Sequence, residues 1–153
     1  MVGLLGLAAV EAVAGGITWP RLLQRYQALT VTPTHIATPV FSQADQAQAL
    51  VQQYYNYINQ HDYQDAYQLW RTKYQNDNSY NSFASGYSNS VLDNIVFTGV
   101  TPLPDGTVAV SLQLSAEELG GTGTVTHVFK GSYIVGQENG RWKLFSGTFQ
   151  EIS

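Results

Sequence analysis

The stretch SQADQAQALVQQYYNYINQHDYQDAYQLW, residues 42–70, decides the architecture. Ser42 followed by Asp45 makes a capping-box-like start, and Ala47, Leu50, Val51, Tyr54 and Ile58 then recur at helical spacing through Asn59. That pattern predicts an amphipathic helix of about five turns. Its other face, Gln46, Gln48, Gln52, Gln53, Asn56 and Gln60, is polar but uncharged. His61-Asp62 reads as a turn, with Asp62 capping a second, short helix in which Ala66, Leu69 and Trp70 share a face. Asp65 suits the positive start of that helix. Tyr80, Phe83, Ala84 and Tyr87 suggest a third helix after the polar stretch from Gln75 to Ser79.

From Leu92 onward the period changes to two. Val108, Val110, Leu112 and Leu114 alternate with Thr107, Ala109, Ser111, Gln113 and Ser115, the pattern of a half-buried strand. A strand from Asp93 to Thr101 meets it through Pro104-Asp105-Gly106. A third runs from Thr124 to Val135 after a flexible connector, Gly120 to Gly123, and Asn139-Gly140 is a hairpin signal into a fourth from Arg141 to Gln150. Glu117-Glu118 reads as a solvated loop. Three helices followed by four consecutive strands predict an α+β domain, with the helices packed on one face of an antiparallel sheet.

Two stretches carry a resemblance. ALVQQYYNYINQHDYQDAYQLW, Ala49 to Trp70, resembles the first two helices of the nuclear transport factor 2-like superfamily, with Asn59, Asp62, Tyr63, Ala66 and Tyr67 in its Asn-x-x-Asp-Tyr-x-x-Ala-Tyr turn. YIVGQENGRWKLFSGTFQ, Tyr133 to Gln150, is similar to the last hairpin of that superfamily, including Trp142-Lys143. The resemblance covers about Ala44 to Gln150. It implies a curved, cone-shaped sheet wrapped around the helices, on a fold that hosts isomerases, cyclases, hydrolases and many non-catalytic modules. Within the superfamily, the chain looks most like extracytoplasmic modules attached to larger bacterial membrane proteins.

The segment before the domain supports that last likeness. Val2 to Trp19 holds eighteen residues with Glu11 as its one charge, at the short end of the ~17–25 residues a membrane helix needs. Residues 1–25 are therefore read as an apolar anchor. A secretory signal peptide is the rival, because Ala12-Val13-Ala14 before Gly15 has the form of a cleavage site. A docking helix of a soluble protein is the third reading. Arg21 and Arg25 follow the apolar run and no cation precedes it, which points to a basic flank upstream of Met1. Residues 26–41, with Pro33 and Pro39, read as an extended Thr/Pro tether in which His35 is solvated, and residues 42–153 as the folded domain.

The composition of the 153 residues excludes several classes. Charged residues make up 12%, against the ~25% usual for soluble domains. Seven Lys and Arg against eleven Asp and Glu give a net charge of −4, so a nucleic-acid footprint is absent. Without cysteine there is no disulfide and no thiolate nucleophile or metal site. His35, His61 and His127 fall on a tether, a turn and a strand, no metal-ligand spacing occurs, and no cofactor is expected.

A catalytic reading needs a carboxylate or imidazole poised in a dry cleft. Alternation puts His127 on the face of Val125, Phe129, Tyr133 and Val135, expected to point inward, where a buried imidazole could act as a base. Its rival reading is a hydrogen-bonded core or rim histidine, since no carboxylate at a fixed spacing orients it. Asp93, at the junction of the third helix and the first strand, is the second candidate, with a turn or cap as its plainer reading. Tyr54, Tyr57, Tyr87, His127, Phe129 and Trp142 are the candidate pocket lining, with ordinary core as the plainer reading of most of the aromatics. Val96, Phe145 and Phe149 are candidates for an exposed homodimer face. The sequence thus favours a non-catalytic, membrane-tethered extracytoplasmic domain that binds a small molecule or protein. Its alternative is a secreted isomerase, cyclase or hydrolase using His127 or Asp93, and the third reading is a purely structural spacer whose pocket is filled by the aromatics.

Overall fold

A computed structural model describes residues 41–152. The expected anchor over residues 1–25 and the tether up to residue 40, His35 included, lie outside the described residues. Among the described residues no helix is long and apolar enough to cross a membrane.

The first helix, α1 (Gln43–Asn59), begins as its sequence dictates. Ser42 Oγ accepts from the Asp45 amide at 3.1 Å, and the Ser42 amide donates to the Asp45 carboxylate at 3.0 Å. The Ser42 hydroxyl also donates to the Asp45 carboxylate at 2.7 Å, and this bond together with that from the Ser42 amide holds the Asp45 carboxyl below its usual range. All five predicted apolar positions are buried, and Tyr55 is buried with them. His61, in the left-handed region at φ 58°, turns the chain into α2 (Tyr63–Gln68), where Asp62 Oδ1 accepts from the Asp65 amide at 3.3 Å.

An unexpected helix, α3 (Thr72–Asp77), takes in the start of the polar stretch Gln75 to Ser79, which makes four helices rather than three among the described residues. It buries no residue, so no apolar period announces it. Polar tertiary bonds hold it: Gln75 Nε2 donates to the carbonyls of Tyr67 and Trp70, both at 3.0 Å, and the Tyr67 hydroxyl donates to the carbonyls of Gln75 and Asn78. The predicted third helix is α4 (Tyr80–Ser85), capped by Ser79 and anchored by buried Phe83.

Strands β1 (Ser90–Pro102), β2 (Val108–Gly120), β3 (Gly123–Glu138) and β4 (Arg141–Glu151) form one antiparallel sheet in the order β1-β2-β3-β4. Glu117 and Glu118 pair with Thr126 and Val125 inside β2, so they are strand residues and not a loop. Gly120 faces Gly123 across a two-residue turn, which makes the expected connector the tip of a hairpin. At the next turn Asn139 and Gly140 have φ of 52° and 74°, the positive pair that a tight hairpin requires. Bulges interrupt the β1/β2 and β3/β4 ladders. The β4 bulge exchanges faces: Phe149 opposes Gly131 and packs inward on Tyr133 with ring centroids 5.1 Å apart, whereas Phe145 lies under the Arg71 guanidinium. Of the three residues expected on an exposed homodimer face, Val96 is exposed, at 65%, whereas Phe145 and Phe149 are partly buried.

Trp70 adds a parallel bridge to Leu144, where Arg71 N donates to Leu144 O and Leu144 N to Leu69 O. The core lies between α1 and the sheet, with Val51, Tyr54, Ile58, Val108, Val110, Leu112, Val135 and Leu144 almost wholly enclosed. Gly131 is where the sheet has no room, since a Cβ there would overlap the Phe149 ring and the Thr148 carbonyl. Gly131→Ala is expected to cost about 3 kcal/mol. Gly99→Ala, whose Cβ would meet Ser111 Cβ at 4.0 Å, is the matched control and should leave the thermal midpoint almost unmoved.

Candidate functional site

The register across the sheet sets Asp93 opposite Ala116 and Ala116 opposite His127, so the two candidate residues share one row with a single strand between them. They live in different surroundings. Asp93 is 5% exposed and sits where α1 meets β1. Asn59 fixes its main chain: Asp93 N donates to Asn59 Oδ1 at 2.7 Å, and Asn59 Nδ2 donates to Asp93 O at 2.8 Å. Its carboxylate Oδ1 is buried without a hydrogen-bond partner. Burial, with Glu118's negative charge adding to it, pushes the carboxyl up to about 6. A carboxyl so placed changes charge near neutrality, as a general base must.

His127 departs from its expected burial. Its strand parity is as predicted, but the β2–β3 hairpin runs on past the helices, and neighbouring Val125 is exposed. The imidazole side chain is 38% exposed, with Nδ1 2.6 Å from Glu151 Oε1. That hydrogen bond raises its pKa. The orienting carboxylate that sequence spacing did not reveal thus comes from the last residue of β4. In chemical terms this is a solvent-facing imidazole–carboxylate pair, without the dry cleft that sharpens proton transfer.

The interior between these residues and the helices is filled with aromatic rings. Tyr54, 1% exposed, packs edge-on against Tyr55, Trp70 and Tyr133 with centroids 5.3, 6.0 and 5.9 Å away, and tilts against Phe83 at 6.4 Å. The buried hydroxyls satisfy one another, Tyr54 with Tyr87 at 2.5 Å and Tyr55 with Tyr133 at 3.0 Å. Burial holds Tyr54, Tyr55 and Tyr133 well above the usual phenol range and Tyr87 at about 12. Asp93's negative charge contributes at Tyr55, Tyr87 and Tyr133. These phenols stay protonated, as hydrogen-bond donors and packing.

The six residues expected to line one pocket are therefore dispersed. Tyr54 and Tyr87 meet through their hydroxyls inside the domain, while His127 and Phe129 are neighbours, centroids 6.4 Å apart, toward the hairpin tip. Tyr57 accepts from Gln53 Nε2 at 2.9 Å on the half-exposed flank of α1. Trp142 donates to Gln46 Oε1 at 2.8 Å. Tyr55, Tyr133, Asn59 and Glu151 were missed as members of the two settings, because each is brought there by strand register and helix docking rather than by local spacing.

Open clefts flank the filled interior. One of about 270 Å³ lies between α3 and β4, lined by Arg71, Tyr74, Asn78, Phe145 and Ser146 among others. A second, about 470 Å³, runs between α1 and Phe97, and a third, about 430 Å³, is bounded by Gln68, Thr72, Glu138, Arg141 and Lys143. No group of three His, Asp or Glu among the described residues is arranged to hold a metal ion.

No family model matches the chain, and no curated protein matches it. Among solved structures it is similar to a candidate dehydratase of the NTF2-like family from Streptomyces avermitilis, with a TM-score of 0.57 and 14% identity over 72% of this chain and 96% of that one. At that identity the likeness is one of fold. One long and three short helices and a four-stranded antiparallel meander in the described residues, superposing on nearly the whole of that relative, give this chain the NTF2-like fold.

Proposed function

We propose that this chain is a non-catalytic binding domain, tethered to a membrane through its N-terminal residues with the folded part on the extracytoplasmic side. The observation that carries the non-catalytic part of this reading is the occupied interior, and the binding part is supported by the open clefts on the flanks. Where an enzyme of this architecture would need space for a substrate, Tyr54, Tyr55, Trp70, Phe83 and Tyr133 interlock, and the phenol hydroxyls of the three tyrosines pair within the protein. The clefts described lie on the flanks, where a ligand binds without reaching Asp93. The tether rests on the apolar composition of Val2 to Trp19 and the Thr/Pro-rich residues after it.

A second reading, an enzyme, is favoured by one observation: Asp93 is buried, has an unpartnered oxygen and titrates near neutrality. The name of the Streptomyces avermitilis relative suggests the reaction class to assay, loss of water from a hydroxy compound. The full chain in mild detergent, offered a panel of β-hydroxy ketones, is expected to produce no enone absorbance above the buffer rate. Enone formation that disappears in Asp93→Asn would overturn the binding reading. Membrane sedimentation of the full chain, lost when residues 1–25 are deleted, is the result expected for the tether; sedimentation unchanged by the deletion would overturn it.

A further inference from the structure

The described residues hold five Lys and Arg against ten Asp and Glu, yet four of the five cations, Arg71, Lys73, Arg141 and Lys143, flank the Trp70–Leu144 bridge. The two carboxylates nearby are engaged. Asp77 pairs with Lys73 at 2.8 Å, and Glu138 accepts from Thr72 N at 3.0 Å and Thr72 Oγ1 at 2.8 Å. Lys143 donates to the Gln68 carbonyl. Arg71 differs from these: it lies over the Phe145 ring, 4.9 Å from the centroid, and its Nε is buried without a hydrogen-bond partner.

Because Nε is enclosed, an acceptor in the adjoining cleft would meet the terminal Nη groups of the guanidinium. Phe145 covers one face of the guanidinium and leaves its in-plane donors to make hydrogen bonds. The same cleft has an apolar wall, Tyr74 stacked on Trp70 with centroids 4.1 Å apart, the mutually neutralising Lys73–Asp77 pair, the Ser146 hydroxyl, and Asn78, whose Nδ2 donates to the Tyr74 carbonyl and whose Oδ1 is the group left for a ligand. Its volume of about 270 Å³ suits one or two residues of a ligand.

We infer that this cleft binds the C-terminal carboxylate of a peptide ending in an apolar residue. Arg71 takes the carboxylate through its planar fork, the geometry that pairs guanidinium with carboxylate in two parallel bonds. Phe145 and Tyr74 hold the last side chain, and Asn78 Oδ1 and the Ser146 hydroxyl accept from the preceding amide. The basic edge attracts the anion to an otherwise acidic domain. The inference deepens the binding reading and rests on it.

The test is an NMR titration of the full chain in mild detergent with N-acetyl-alanyl-leucine and with its C-terminal amide. The free acid is expected to shift the Trp70 indole and Arg71 Nε resonances saturably, with affinity at least tenfold above the amide. Arg71→Lys keeps the charge but loses the fork, and is expected to remove about tenfold of the acid's affinity while the spectrum stays dispersed. Equal responses to acid and amide, shifts elsewhere in the domain, or no shift would each overturn the assignment, and leave the binding reading to the turnover assay. Asp93-dependent enone formation together with an acid-selective cleft would retain the cleft and overturn the reading.

Discussion

Truncating Tyr54 to alanine is expected to lower stability by about 4 kcal/mol, the cost of removing a large aromatic from a packed interior. For a domain of this size that is a fall in thermal midpoint of roughly 15–20 °C. The reason is the number of partners lost at once. Tyr54 touches the rings of Tyr55, Trp70, Phe83 and Tyr133, and its hydroxyl is the partner of Tyr87. Phenylalanine at the same position keeps the ring contacts and leaves the Tyr87 hydroxyl unpaired, so Tyr54→Phe should cost about 1 kcal/mol. The alanine variant should also hold a cavity of phenol shape. Added phenol is expected to raise its midpoint in a concentration-dependent way and to leave the parent's unchanged, because a ligand stabilises the folded state that binds it. An alanine variant that melted within a few degrees of the parent would show that the interior is not filled by these rings, and the main support for a non-catalytic reading would go with it.

How far the fold was legible follows from which forces act locally. The 3.6-residue period of α1 and the two-residue period of β2 are written by single elements against one core, so Ala47, Leu50, Val51, Tyr54 and Ile58, and then Val108, Val110 and Leu112, read correctly as buried. Asn139-Gly140 encodes its own turn. Helix α3 has no such signature because side chains from α3 and its neighbours hold it, Gln75 and Tyr67 above all. Phe145 and Phe149 four residues apart look alike in a strand of period two, and a bulge that no local residue announces sends them to opposite faces. The candidate site was legible as residues but not as surroundings. Asp93 and His127 were both visible, while the burial of one and the exposure of the other depend on where helices stop covering the sheet. Glu151, 24 positions from His127, is a neighbour by register alone.

Asp93 supplies the second large effect, and its sign is opposite to that of most core substitutions. Burial lifts its folded-state pKa to about 6, above the ordinary carboxyl value of 3.8, so between those values the folded chain holds a proton that the unfolded chain has released. The stability linked to this group is fully present below about pH 4 and is lost as pH rises through about 6. Asp93→Asn abolishes that loss. The two proteins should be equally stable near pH 4, and by pH 8 the variant should be more stable by roughly 2 kcal/mol, or a midpoint roughly 10 °C higher. Asp45, Asp105 and Glu138, whose carboxyls are held low by hydrogen bonds, lose stability as pH falls, and His127, held high by Glu151, loses it as pH rises. These groups are common to both proteins and cancel in the difference. Asn59 bonds the main chain of residue 93, so its contacts survive the substitution. Glu118, the charge that raises Asp93, also survives. Melting curves of parent and variant from pH 4 to pH 8 decide the matter, and an asparagine variant no more stable than the parent at pH 8 would mean that the carboxylate has a partner when ionised. A stabilised variant would show that the chain retains a buried charge at a cost, which is how groups kept for function rather than folding behave.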